Sequence, residues 1–292
     1  MNIQVSAIEG NHQWLDGGAM FGNAPRSMWE RWSPPDQLGR IRLSCRAMLV
    51  EIDGHKILCE TGIGVFFDPK MAQRYGVEES EHMLLQNLRK AGVSPDQITA
   101  VILSHLHFDH AGGLLPSFAE IAAGNHGLVF PNAQIFVGAK SWDRAQHPHP
   151  RDRASFIPGM CDKLSRTGKL VIVPQGDRQR YFDDIISFRF SDGHTPGQMH
   201  TVVHGQHLNF YFAGDLIPGT PWIHAAITMG YDRNAELVID EKAEIYKEIA
   251  NPSYRAFFTH DAHHCAAEIC LKPDGKFAAG ELLPADMLRM VI

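Results

Sequence analysis

The stretch Ser104-His105-Leu106-His107-Phe108-Asp109-His110 packs three imidazoles and a carboxylate into seven residues. Two histidines at i and i+2 project on the same side of extended chain, which gives two nitrogen ligands to one metal. The loop then turns, so that Asp109 and His110 can face a second metal close by. Ala111-Gly112-Gly113 lets the backbone pass close to the site and start a following helix. Three more ligand-type residues lie downstream: His194 in Asp192-Gly193-His194-Thr195-Pro196-Gly197, Asp215 after Phe212-Ala213-Gly214, and His260 after Phe258-Thr259. Each sits where an expected strand stops, the usual place for a site on a sheet scaffold. Nitrogen and oxygen donors without thiolates suit divalent metal ions, zinc first, with iron, manganese, cobalt or nickel as alternatives.

These side chains need rigid elements behind them. Residues 98–103 form a short continuous apolar run, as expected of a strand buried on both faces. Residues 41–52 and 56–60 read as a hairpin across the turn Asp53-Gly54. Helical periodicity over 78–91 ends at Gly92, a natural helix stop. Further strands are expected at 134–137, 170–173, 185–190, 199–203, 208–212 and 256–258, with helices at 235–250 and 262–270. This mixture predicts an α/β protein with helices packed on the outer faces of sheets. Residues 1–40 differ. Trp14, Met20, Phe21, Trp29 and Trp32 stand among Gly, Pro and Asn without helical or strand period, so an aromatic-rich loop segment is expected to pack on the rest.

No repeat or linker divides the 292 residues, and a single domain over 1–292 is expected. The net charge of -6 argues against nucleic acid or anionic lipid as a partner. Five scattered cysteines without a Cys-x-x-Cys pair fit a reducing compartment. No signal-like start and no apolar run of bilayer length is present, so a cytoplasmic location is expected. Seventeen histidines exceed what packing needs, although many are bystanders. His147 and His149, separated by proline, read as surface loop; His200, His204 and His207 read as structural. His263 or His264, next to His260, is a candidate for positioning substrate.

The set from residue 41 to His260 resembles the metallo-β-lactamase superfamily. The resemblance implies an αββα sandwich, two mixed sheets face to face with helices outside and the metals at one rim. It implies that His105, His107 and His194 hold a first metal, that Asp109, His110 and His260 hold a second, and that Asp215 bridges them. Glu60, in Leu58-Cys59-Glu60-Thr61-Gly62, stands where the family usually has Asp, a carboxylate that orients a ligand histidine through its other nitrogen.

Within the superfamily, Asp215 speaks against a true β-lactamase, and the 32 residues after His260 are too few for the glutathione-binding domain of a type II glyoxalase. Asp16-Gly17-Gly18-Ala19-Met20-Phe21-Gly22, Thr61-Gly62-Ile63-Gly64, Pro221-Trp222-Ile223 and Met229-Gly230-Tyr231-Asp232 are similar to the quorum-quenching lactonase branch. One departure is clear. Acyl-homoserine lactonases have Tyr three residues after the bridging Asp, and this chain has Pro218, which leaves Tyr231 as the candidate from the same loop. The implied activity is a dinuclear hydrolase that opens a lactone or ester with a metal-bridging hydroxide, Asp109 carrying the proton. Phosphotriester or phosphodiester hydrolysis is the alternative; a phosphodiester would require Arg or Lys beside the metals, whereas a lactone or a triester would not. Trp14, Met20, Phe21, Trp222, Met229 and Tyr231 either roof the site, favouring a small-molecule substrate with an apolar part, or fill the core or a homodimer contact.

Overall fold

The computed structural model describes residues 2–176, 179–285 and 289–292. The first seven-stranded sheet runs, in spatial order, Arg289–Val291, Gln4–Ile8, Ala47–Ile52, His55–Cys59, Ala100–Leu103, Gln134–Gly138 and Leu170–Val173. The second runs Phe277–Pro284, His264–Leu271, Tyr254–Phe257, Asn209–Phe212, Gln198–Val203, Ile186–Ser191 and Arg180–Tyr181.

Alternation along the strands explains the layering. Met48, Val50, Ile57, Cys59, Ala100 and Ile102 point between the sheets, where they meet Phe188, Met199, Phe210, Phe212 and Phe257. Their neighbours Leu49, Leu58, Val101 and Leu103 point the other way, onto Leu84, Leu88 and Leu164 of outer helices. Both faces are therefore buried, which is why these strands read as continuous apolar runs rather than alternating ones. The second sheet is covered likewise by Val238, Tyr246 and Ile249 of the helix Ala235–Ile249. The architecture is αββα, as the resemblance implied.

Three expectations are corrected. Residues 1–40 are not a loop segment. Gln4–Ile8 lies inside the first sheet, paired on one side with Ala47–Ile52 and on the other with Arg289–Val291. His12–Asp16 pairs with Arg40–Ser44 in a separate two-stranded ribbon, and short helices Gly17–Phe21 and Arg26–Trp29 lie between them. The run 41–52 is consequently two strands, broken where the chain crosses at Cys45-Arg46. Residues 262–270 form no helix; His264–Leu271 is a strand paired on both sides. Its alanines and glutamate favour a helix, but Ala266 fills the interior between the sheets and Ala267 the opposite face, and that context overrides propensity.

The aromatic cluster splits between the two roles foreseen for it. Phe21 stacks between Trp29 and Trp222, with ring centroids 5.5 and 4.6 Å away, and the Trp222 indole N–H donates to the Met20 carbonyl at 3.0 Å. These rings are packing. No helix among the described residues is long and apolar enough to cross a membrane.

The helix Ala235–Ile249 also anchors the loop that follows Asp215. Its Tyr246 hydroxyl donates to the Ile223 carbonyl at 2.7 Å and its Lys242 ammonium to the Ile227 carbonyl at 2.6 Å. Lys242 is wholly buried, and burial pushes its amine down to about 7. The folded pKa lies below the unfolded one, so between them the unfolded chain binds more protons and stability should rise with pH. Urea midpoints measured at pH 7 and 10 should show this rise in the native chain and a flatter profile in Lys242→Met. An unchanged slope in the variant would remove Lys242 as its source.

Candidate metal centre

All seven ligand-type residues converge at one rim, beyond the ends of strands from both sheets. Ala100–Leu103 leads into His105 and His107, Asn209–Phe212 into Asp215, and Tyr254–Phe257 into His260. Asp109 and His110 lie on a one-turn helix, Phe108–Ala111, rather than on a loop, and Gly112-Gly113 continues it as a 3-10 turn instead of starting a helix. Gly113 is there for a close approach: a Cβ would lie 1.9 Å from the Thr61 carbonyl oxygen. The sheets are tied at this rim by the Met199 N–H, which donates to the Ser104 carbonyl at 2.8 Å.

The donor atoms form two groups. One ring nitrogen each of His105, His107 and His194 lie within 4.8 Å of one another, and so do donors of Asp109, His110 and His260. Asp215 stands between the groups. Its Oδ2 is 3.3 Å from His194 Nε2, while its Oδ1 is 3.2 Å from both His110 Nε2 and His260 Nε2.

A partner on the far nitrogen aims most of these rings. His194 Nδ1 is 2.8 Å from the Asp232 carboxylate, and His260 Nδ1–H donates to the Ser44 carbonyl at 2.6 Å. His105 Nδ1 is 2.8 Å from the Ser104 hydroxyl. Each arrangement turns Nε2 toward the cluster. His107 is reversed, with Nδ1 2.9 Å from His105 Nε2. Glu60 supports His110: one carboxylate oxygen accepts from Ser104 N–H at 2.8 Å and the other is 3.5 Å from His110 Nδ1. Its backbone is left-handed, with φ 68°, a conformation costing a non-glycine residue roughly 1–2 kcal/mol. Asp109 receives the Gln13 amide N–H at 2.7 Å.

Burial and the mutual repulsion of the imidazoles, led by His110, hold His105 well below the ordinary histidine value; burial and the charge of His194 do the same for His107. Burial pushes His110 and His260 down as well, but the Asp215 carboxylate outweighs it and raises both. Burial would raise Asp215, yet the charges of His110, His260 and His194 hold it far below the usual carboxylate range. His194 Nε2 and Asp215 Oδ1 are buried without a hydrogen-bond partner. Polar atoms left so in a protein interior are costly unless an ion takes them up, and seven nitrogen and oxygen donors in two groups around a shared carboxylate fit two divalent cations.

Tyr231 lines the cavity over these donors together with Met20, Met229, Leu15, Leu43 and Phe108. Trp14, Phe21 and Trp222 do not. His263 and His264 face a separate, larger cavity on the other side of His260, bounded by Trp32, Pro221 and Phe277. His200 is buried between Ser191 and Tyr211, in keeping with a structural role, and His147 is exposed beside Asp143.

Sequence reasoning missed Gln13, Asp232 and Arg46. Arg46 is fully buried; it pairs with Glu9 and donates to the carbonyls of Phe258, Asp261 and His264, fastening the His260 loop to the first sheet. Asp232 carried a faint signal, a carboxylate after the Gly230 turn. Gln13 carried none. Removing the carboxylate that aims His194 in Asp232→Ala should weaken metal affinity about 10- to 100-fold, as loss of such a partner typically does. Chelator competition would measure it, and native affinity in the variant would remove Asp232 from this role.

Residues 40–260 match the model of the metallo-beta-lactamase superfamily. The chain belongs to that superfamily. An N-acyl homoserine lactonase of Bacillus sp is 26% identical over 171 residues, 53% of this chain and 56% of the relative. One of Bacillus cereus is 24% identical over 202 residues, 63% of this chain and 68% of the relative. An N-acyl homoserine lactonase of Agrobacterium fabrum matches over 65% of this chain and 66% of its own length. The chain thus spans little more than half the length of the Bacillus sp relative. Among solved structures, a probable metal-dependent hydrolase from Staphylococcus aureus superposes with TM-score 0.84 at 24% identity, over 98% of both chains. AidC, a dizinc quorum-quenching lactonase in complex with a product, superposes with TM-score 0.72 at 22% identity, over 96% of this chain and 95% of AidC. These superpositions establish the fold.

Proposed function

We propose that this superfamily member is a dinuclear metal-dependent hydrolase acting on a lactone or ester, an N-acyl homoserine lactone among the candidates. The observation that carries it is Asp215, whose two carboxylate oxygens face different donor groups. In this reading His105, His107 and His194 hold one ion, Asp109, His110 and His260 hold the other, and Asp215 is shared. Two such ions would polarise a carbonyl and bring water within reach of deprotonation near neutral pH. Asp109, oriented by Gln13, is then the group that accepts a proton and delivers it to the leaving oxygen. Burial, with help from the Asp109 charge, pushes the Tyr231 hydroxyl up to about 12, so it stays a neutral donor that can hold a substrate oxygen.

Donors without thiolate suit zinc. Cys45, beside His260, is pushed up to about 11 by burial and belongs to none of the donor groups among the described residues. Free cysteines throughout fit a cytoplasmic location. Residues 1–292 act as one domain, in keeping with the Ile292 N–H donating to the Ile3 carbonyl at 2.9 Å within the first sheet.

Metal analysis of the purified protein should give about two ions per chain. Hydrolysis should appear on acyl-homoserine lactones or aryl esters in a panel that also holds a phosphotriester, a phosphodiester and a β-lactam. Turnover confined to the phosphoesters would sink the substrate class, and absence of both metal and turnover would sink the hydrolase.

A further inference from the structure

The cavity over the donor cluster, of about 260 Å³, is not purely apolar. Leu15, Met20 and Met229 line it, but so do Arg74 and Arg151. Both arginines are exposed, whereas the ligand-type side chains that line the same cavity are buried, which puts the arginines on its solvent side. The carboxylates lining the cavity are Asp109 and Asp215, both committed to the donor groups. None is left for the arginines. Arg151 donates to the Gly230 carbonyl at 3.2 Å, and neither guanidinium is in an ion pair among the described residues. On a chain of net charge -6 this is a local reversal of sign, and such a mouth concentrates anions.

We propose that the substrate carries a carboxylate remote from the bond that is cut, gripped by Arg74 and Arg151 while Leu15, Met20 and Met229 take its apolar part. This rests on the hydrolase reading above and narrows it to acidic esters or lactones. The planar guanidinium fork matches a carboxylate, and two forks at one opening hold its orientation as well as its charge. The separation between exposed arginines and buried donors puts the anion away from the reacting carbonyl, which disfavours a phosphodiester, whose charge lies at the reacting centre.

The test uses the full, metal-loaded chain and a matched pair: 4-nitrophenyl butyrate and the mono-4-nitrophenyl ester of glutaric acid. The ratio of kcat/KM, acid over neutral, should be on the order of tenfold at low salt, falling as salt is added. It should collapse toward unity in Arg74→Gln/Arg151→Gln and invert in Arg74→Glu/Arg151→Glu. A native ratio of one or less, or one that both double variants preserve, overturns the clamp. Calorimetry with glutarate and butyrate reads the same preference without turnover. If no ester is cut but glutarate binds about tenfold tighter than butyrate, and the glutamine variant loses this, the clamp stands and the hydrolase reading falls. Equal binding of the two acids overturns the clamp on its own.

Discussion

Asp215→Ala is expected to lower kcat/KM by at least about a thousandfold, near 4 kcal/mol of transition-state stabilisation, and to deplete the protein of metal. Asp215 lies within 3.3 Å of His110, His194 and His260 alike. Its charge offsets the cost of crowding imidazoles in a dry interior: it raises His110 and His260 against the downward push of burial. Without it, two divalent cations would share a pocket whose remaining lining carboxylate is Asp109. The Asp109, His110 and His260 group should therefore empty first, since it loses the oxygen that serves both of its imidazoles. Asp215→Asn keeps the shape and removes the charge, so it should fall close to the alanine variant in metal content. Elemental analysis after dialysis, alongside kcat/KM, checks both. An alanine variant that retains two ions and the native rate would refute a shared ligand here.

Much of this site was legible because it is local. His105, His107, Asp109 and His110 lie within one short stretch, and His194, Asp215 and His260 each follow a strand, alternating before His194 and largely apolar before the other two. The strand Leu170–Val173 and the hairpin turn at Asp53-Gly54 emerge where pattern alone places them. What failed to read is what depends on distant partners. Gln4–Ile8 contains both buried and half-buried residues, and it becomes a strand because two other segments pair with it. Glu78 lies in a stretch with helical period, but its N–H bonds to the His12 carbonyl, and the helix begins only at Met83. The ring-orienting groups are of the same kind. Asp232 lies 38 residues from His194 and Gln13 lies 96 from Asp109, separations that no periodicity or spacing rule spans.

That long-range contact bears on the second large effect. Asp109→Asn should reduce kcat by about 10²- to 10⁴-fold, the usual worth of a positioned acid or base, while metal content stays near native. Asparagine retains an oxygen that can ligate, but it cannot accept a proton. The Gln13 amide holds the carboxylate in place, donating at 2.7 Å to Oδ2, which is also 3.7 Å from His260 Nε2, while Oδ1 is 3.8 Å from His110 Nε2. Gln13→Ala should then produce a smaller loss, about tenfold, carried by kcat rather than KM, because a positioning group acts through the residue it holds. The pH dependence separates the roles. If Asp109 carries the proton, the acidic limb of the kcat profile should vanish in Asp109→Asn and shift in Gln13→Ala. If the rate loss in Asp109→Asn instead tracks a loss of metal, and metal replenishment restores the native rate and profile, Asp109 is a ligand and nothing more.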